Sequence, residues 1–239
     1  MLRCGRELRT LISGAASFED AAQRVSEALY EGLVTANLSE RACVLVRCYR
    51  TRPFGELPAD LQAFARRDVA PGVSLENGTR CLVLFGTAGE QPTWRSRRLS
   101  QGHQAIPLAS RAALDRAPMI AELFQQLGVP IDSVISPGAA LDSAERTKTY
   151  GVFHVENALG SSAVPAQEDF VVKFGVKSVV GFGGELPGDE IFATILFARV
   201  SVPREAADRF RSIALEMKSA FFVFSRDKIF DMASRQPAR

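Results

Sequence analysis

Two histidines, four cysteines and a few clustered carboxylates are the residues of this 239-residue sequence best suited to nucleophilic, metal-ligating or acid–base chemistry. Cys43 and Cys48 lie within one apolar run, and their odd spacing puts them on opposite faces of an extended strand. They therefore make a poor redox or metal pair. Cys4 and Cys81 stand apart, no C-x-x-C occurs, and only His103 and His154 offer imidazoles, so a zinc set has almost nothing to draw on. The thiols read as inert core residues, with a thiol redox activity at Cys81 as the one enzymatic alternative. Gly175-Val176-Lys177-Ser178 has the end of a phosphate loop without its leading glycine, and it runs into a strand rather than a helix. Gly181-Phe182-Gly183-Gly184 sits at a strand end before a turn, where glycines permit a bulge or a close backbone approach and not a dinucleotide fingerprint. No G-x-S-x-G elbow is present. The sequence points to no catalytic residue and no metal ligand set.

Three polar positions remain as binding candidates. His154 falls in the apolar strand Gly151–Val155 and reads as a core or edge histidine. His103 lies in a turn entering the short strand Gln104–Leu108, so a ligand contact and a plain loop role both stay open. Glu168 and Asp169 are adjacent, diverge on a strand, and so do not form a paired-carboxylate site. Gln167 and Glu168 fit as placed polar groups in an aromatic pocket with Phe170, Phe174 and Phe182. The same stretch also reads as a capped turn over core phenylalanines. Trp94-Arg95-Ser96-Arg97-Arg98 is a local basic cluster, read as a solvated loop because no second basic patch supports a nucleic-acid contact.

The elements that must position these residues follow from periodicity. Ala21, Val25, Ala28, Leu29 and Leu33 recur at helical spacing over Phe18–Leu38, with Ser17 as N-cap and Glu19 and Asp20 in the first turn. Leu8, Leu11 and Ile12 predict a shorter helix before it. Apolar runs predict strands over Ala42–Tyr49, Arg80–Gly86, Gln104–Leu108, Gly151–Val155, Ser178–Gly183 and Glu190–Ala198, the last two joined by the turn Pro187-Gly188-Asp189. Pro58 opens a short helix, and Pro118 starts another that closes at Gly128. Pro203 begins a long final helix through Phe224, with Ala206, Phe210, Ile213, Met217 and Ala220 on one stripe. Residues 129–150 read as a long loop and 225–239 as a mobile tail. Strands meeting as hairpins, bracketed by helices, predict an α+β fold in a single domain over 1–239. Its centre is a largely antiparallel sheet of about five or six strands flanked by helices, with long N- and C-terminal helices. The first and last helices would cover one face of that sheet, and the middle helix and loop the other.

Composition limits the partners. Lys plus Arg number 29 against 27 Asp plus Glu, a formal net charge of +2, so nothing electrostatic recruits nucleic acid or an anionic membrane. The N-terminus lacks a signal-peptide apolar stretch, and the longest apolar run, Ile191–Ala198, is far short of a span. A cytoplasmic location is expected. Sixteen Phe against three Tyr and one Trp point to a dry aromatic interior.

This arrangement resembles GAF-type sensory domains, the small-molecule-binding relatives of PAS domains in bacterial signalling proteins. The helix Phe18–Leu38 before Ala42–Tyr49, the loop-rich middle, and the hairpin Ser178–Ala198 running into Pro203–Phe224 carry the resemblance. Gly102–Leu108 and Phe174–Gly184 are similar to segments of such domains in histidine-kinase-type proteins. The resemblance implies a pocket between the sheet and the middle helices and loops, and homodimerisation through the terminal helices. The Asn-Lys-Phe-Asp-Glu signature of the cyclic-nucleotide-binding members is missing, and the cysteine placement does not match the free methionine sulfoxide reductase branch. The resulting expectation is a non-catalytic sensor in signal transduction. It would bind a small, partly apolar ligand, through His103, Gln167, Glu168, Phe170, Phe174 and Phe182, and relay a conformational change to a signalling partner. No cofactor can be named from the sequence. The alternatives are an interaction or dimerisation module without a ligand, suggested by Phe221, Phe222 and Phe224 on several sides of the last helix, and a haem or metal sensor through His103 or His154.

Overall fold

The computed structural model describes residues 2–35, 40–69, 74–135, 151–224 and 228–231. Six strands form one sheet: β1 (Cys43–Pro53), β2 (Arg80–Gly89), β3 (Ala105–Pro107), β4 (Val152–Val155), β5 (Ser178–Leu186) and β6 (Glu190–Ala198). Their order is β3-β2-β1-β6-β5-β4, and every neighbouring pair is antiparallel. The expected α+β architecture, an antiparallel sheet flanked by helices, is what the chain adopts. The β5–β6 hairpin closes at the expected turn, where Asp189 takes φ 58°, the left-handed backbone that Asp tolerates.

Alternation along β1 sorts its side chains. Val46 and Cys48 enter a core shared with α1 (Leu2–Ser13), α2 (Phe18–Gly32) and α3 (Ala59–Arg67), while Leu45 and Tyr49 enter the opposite core. Arg47 therefore shares a face with Leu45 and Tyr49, and Arg50 and Arg52 share the face of Val46 and Cys48. On the latter face, α2 forms where its sequence directs: the Ser17 hydroxyl accepts from the Asp20 N–H at 3.0 Å, and Ala21, Ala22, Val25 and Leu29 pack inward. Helix and sheet touch so closely at Gly86 that a Cβ there would sit 2.1 Å from the Ala22 carbonyl oxygen. The other face is covered by α5 (Pro118–Leu127), which ends at Gly128 in the left-handed conformation, φ 78°, together with α4 (Arg111–Asp115), α6 (Ile131–Ile135) and the segment around Val164–Val176.

The departures from expectation have local causes. Helix α2 stops at Gly32, because the chain turns to pair Val34 with Arg41 in an isolated bridge. The final helix is two pieces, α7 (Arg204–Asp208) and α8 (Phe210–Phe221). The Arg209 N–H donates to the Ala206 carbonyl at 3.3 Å, tightening the backbone there, and Phe210 then stacks on Phe182 with centroids 5.3 Å apart. Within the long loop expected over 129–150, residues 131–135 form α6 and 136–150 lie outside the described residues. The expected mobile tail contains an anchored stretch. Ile229 and Phe230 are buried, Phe230 lies 5.1 Å from Phe85, and the Glu19 N–H donates to the Ile229 carbonyl at 3.0 Å. The remainder, 225–227 and 232–239, is outside the described residues. Among the described residues no helix is long and apolar enough to cross a membrane.

Candidate functional site

On the α5 side of the sheet lies a cavity of about 340 Å³, within the range of small-molecule sites. Its floor is β1 and β6, through Arg47, Tyr49 and Phe197. Its walls are Trp94, Met119 and Phe170, and His103 lines it from the loop before β3. The aromatic wall is continuous. Trp94 packs edge-on to Phe170 (5.8 Å) and Phe174 (4.7 Å), and Phe170 meets Phe197 at 5.0 Å.

The polar part centres on Arg47. Its Nη2 donates to the Ser100 hydroxyl at 3.2 Å and its Nη1 to the Tyr49 phenol at 3.3 Å, while its buried Nε–H has no acceptor among the described residues. A guanidinium on an otherwise apolar sheet face, with one N–H unmet, is costly unless something supplies an acceptor. His103 takes φ 60°, a left-handed backbone that histidine adopts only occasionally. Its imidazole is held below its ordinary pKa, first by desolvation and then by the Arg47 charge, with Asp68 opposing. The residue nonetheless keeps substantial exposed surface, so it forms the rim rather than the floor.

The residues singled out from the sequence separate into three groups. His103 and Phe170 line the cavity, and Phe174 supports it by packing on Trp94. Gln167 stands behind the rim and acts as a brace. Its amide donates to the Val164 and Ala158 carbonyls at 2.5 and 3.0 Å and its oxygen accepts from the Gly160 N–H at 2.8 Å, folding Val164–Ala166 onto the cavity edge. Glu168 is exposed at the start of the π-helical turn Gln167–Val172 and does not line the cavity. Phe182 lies on the opposite face of the sheet, stacked against Phe210. His154 is held at the sheet edge, its Nε2 2.7 Å from the Val202 carbonyl. Among the described residues, no three His, Cys, Asp or Glu side chains gather as a metal set.

Arg47, Tyr49 and Trp94 are the site residues that the motif search passes over. A charged residue inside the run Val44-Leu45-Val46-Arg47-Cys48-Tyr49 was the available signal, because alternation aims Arg47 and Tyr49 at one face. The basic cluster beside Trp94 is only in part the solvated loop expected from its composition: Arg95 and Arg98 are exposed, and two other members turn inward. Trp94 turns into the cavity, and Arg97 is 2% exposed, paired with Glu19 at 2.7 Å and Asp60 at 3.2 Å.

No family model matches the chain, and no curated protein matches it. Solved structures do. The GAF domain of A. aeolicus nlh2 in an inactive state is similar at 11% identity over 93% of both chains, with a TM-score of 0.49. The N-acylhomoserine lactone dependent LuxR family transcription factor CepR2 from Burkholderia cenocepacia is similar at 12% identity over 93% of both chains, with a TM-score of 0.45. The GAF domain from Acinetobacter phosphoenolpyruvate-protein phosphotransferase is similar at 10% identity over 92% of this chain and 91% of that one, with a TM-score of 0.42. The chain's own six-stranded antiparallel sheet, with helices on both faces, is consistent with a GAF-like fold.

Proposed function

We propose that the chain is a non-catalytic sensory domain of the GAF-like type, whose ligand occupies the cavity between Arg47, Trp94 and Phe170. The observation that carries this reading is the unmet Arg47 Nε–H in a cavity walled mainly by aromatic and aliphatic side chains, with Asp68, His103 and Arg116 as its other polar lining. Such a site fits a small, partly apolar molecule bearing a carbonyl, carboxylate or comparable acceptor group. Arg47 and Tyr49 would hold the acceptor, Trp94, Phe170 and Phe197 the apolar body, and His103 would close the rim. The relay would run to a partner, another copy or a signalling protein, on the outer side of α8. Leu215 on α8 and Phe222 and Val223 just past its end are exposed at 46%, 58% and 64%.

Trp94 is the chain's single tryptophan and lines this cavity, so its emission reports on this site alone. A metabolite library screened by thermal shift, with Trp94 fluorescence recorded in parallel, tests the reading. The expected result is an acceptor-bearing apolar ligand that both stabilises the chain and shifts Trp94 emission, with the response abolished in Arg47→Met. Ligands that stabilise the chain while leaving Trp94 unchanged would place the binding elsewhere and refute the assignment.

A further inference from the structure

A second cavity, of about 440 Å³, lies on the other side of the sheet, where the end of β1 meets the β5–β6 hairpin and the C-terminal end of α8. Arg50, Arg52 and Arg80 line it together with Glu190, Phe221 and Phe222. The three arginines are 4%, 4% and 5% exposed. Buried guanidinium groups are ordinarily found with every N–H engaged, and here they are not.

Glu190 is shared: Arg50 Nε donates to it at 2.5 Å, and Arg52 Nη1 donates to its other oxygen. Arg52 also reaches Glu56, whose side chain is 40% exposed at the rim. Arg80 donates to the Ser133 carbonyl at 3.2 Å and lies in the field of Asp189, Glu190 and Glu185. After these pairings Arg50 Nη1 and Arg52 Nε remain buried with no acceptor among the described residues. The Phe18 ring, 4.7 Å from the Arg50 guanidinium carbon, offers an aromatic face but no oxygen in the plane of its N–H groups. Among the residues lining the cavity, three guanidinium groups, Arg50, Arg52 and Arg80, thus face two carboxylates, Glu190 and Glu56. One anion with oxygen acceptors would balance the set, and the phenylalanines alongside offer a flat apolar surface. Phe222 is 58% exposed while lining the cavity, leaving a ring available to a ligand.

We propose that this cavity binds an aromatic carboxylate, its carboxylate accepting from the guanidinium groups of Arg50 and Arg52 and its ring lying against Phe222. The site is separate from the Trp94 cavity, which opens on the opposite face of the sheet.

Titration calorimetry of the full chain with benzoate tests this, using benzamide as the neutral isostere and inorganic phosphate as the competing anion. The expected result is saturable binding of one benzoate, with benzamide weaker by about tenfold or more, as losing a charge-assisted pairing implies. Arg50→Lys should also weaken benzoate by about tenfold, because one ammonium does not serve Glu190 and a ligand in that fork geometry. Phe222→Ser alters an exposed ring, keeps the fold, and should weaken benzoate several-fold, while Phe170→Ala leaves it unchanged and Trp94 emission stays constant throughout. Absence of saturable heat, equal binding of benzamide, tighter binding of phosphate, or insensitivity to Phe222→Ser would each overturn the proposal.

Discussion

Replacing Arg47 by methionine separates a residue kept for binding from one kept for folding. Arg47 makes two long hydrogen bonds, 3.2 Å to the Ser100 hydroxyl and 3.3 Å to the Tyr49 phenol. Losing them costs about 1 kcal/mol each. Ser100 keeps its own bond to the Gly102 carbonyl at 2.9 Å, so it is not stranded by the change. Against that loss, the substitution removes a buried, unmet Nε–H whose desolvation costs about 1–3 kcal/mol. The balance lies between about 1 kcal/mol of destabilisation and about 1 kcal/mol of stabilisation. The neighbouring contrast is Arg97, 2% exposed and paired to both Glu19 and Asp60. Arg97→Met takes the paired cation from the buried Glu19 carboxylate, to which the Asp231 N–H still donates at 3.0 Å, and should cost about 3–5 kcal/mol. Urea unfolding followed by far-UV circular dichroism reads both variants from the midpoint, provided the slope is unchanged. Arg47→Met should unfold near the wild-type midpoint while losing about tenfold or more in affinity for any acceptor-bearing ligand that shifts Trp94 emission. A loss above about 2 kcal/mol in Arg47→Met would show Arg47 to be structural, and the argument from its unmet N–H would fail.

Other perturbations test neighbouring parts of the argument. Adding Glu19→Gln to Arg97→Met should recover part of the lost stability, because the neutral amide removes a buried charge that has lost its cation; strict additivity of the two substitutions would count against the pair. His103 is held below its ordinary pKa in the folded chain, so the unfolded chain takes up its proton first as pH falls below about 7. Wild type should therefore lose stability relative to His103→Gln over that interval until the folded imidazole also protonates, and parallel pH curves for the two proteins would refute this. Cys43, Cys48 and Cys81 are buried, and desolvation pushes each thiol up to about 12. A thiol-specific disulfide reagent should accordingly react at Cys4 alone in the native protein and at all four cysteines in urea. Gly86→Ala places a methyl against the Ala22 carbonyl of α2 and should cost about 1–3 kcal/mol in midpoint shift, or more if the helix cannot move.

Most of the architecture was legible because local rules and tertiary packing agree along this chain. Ser17 caps α2 by bonding the Asp20 N–H, Gly128 ends α5 in the left-handed region, and the turn at Pro187–Asp189 closes the hairpin, each for the reason its residue type gives. What was not legible depends on contacts between distant parts of the chain. The break at Arg209 comes immediately before Phe210, which stacks on Phe182, and periodicity within residues 203–224 carries no information about Phe182. Arg97 looked solvated because its partners, Glu19 and Asp60, are 78 and 37 positions away. The aromatic pocket was expected to gather Phe170, Phe174 and Phe182, yet placing Phe182 required knowing which face of β5 meets the helices. Alternation gives two sets of residues on a strand but does not say which set faces which layer. Gln167 was legible as a placed polar group, while its partners are carbonyls of its own loop.

Strand β1 is flanked on both sides by β2 and β6, the position in a sheet where charge is most expensive to bury. It nonetheless carries Arg47 toward one face and Arg50 and Arg52 toward the other, and each of the three retains a buried N–H without an acceptor among the described residues. A fold under selection for stability alone has a cheaper solution, since well-packed apolar side chains in place of buried ion pairs are often neutral or stabilising. Three such residues on one strand, each lining a cavity rather than filling it, therefore argue for ligands supplied from outside the chain. The two cavities also share that strand as a common wall. Arg47 and Arg50 stand three residues apart on that wall. The coupling has a direct measure: if the strand transmits, benzoate affinity in the Arg50 cavity changes when the Trp94 cavity is filled, and by linkage the reverse change is equal in size. Unchanged affinity in both directions would make them two separate sites on one scaffold.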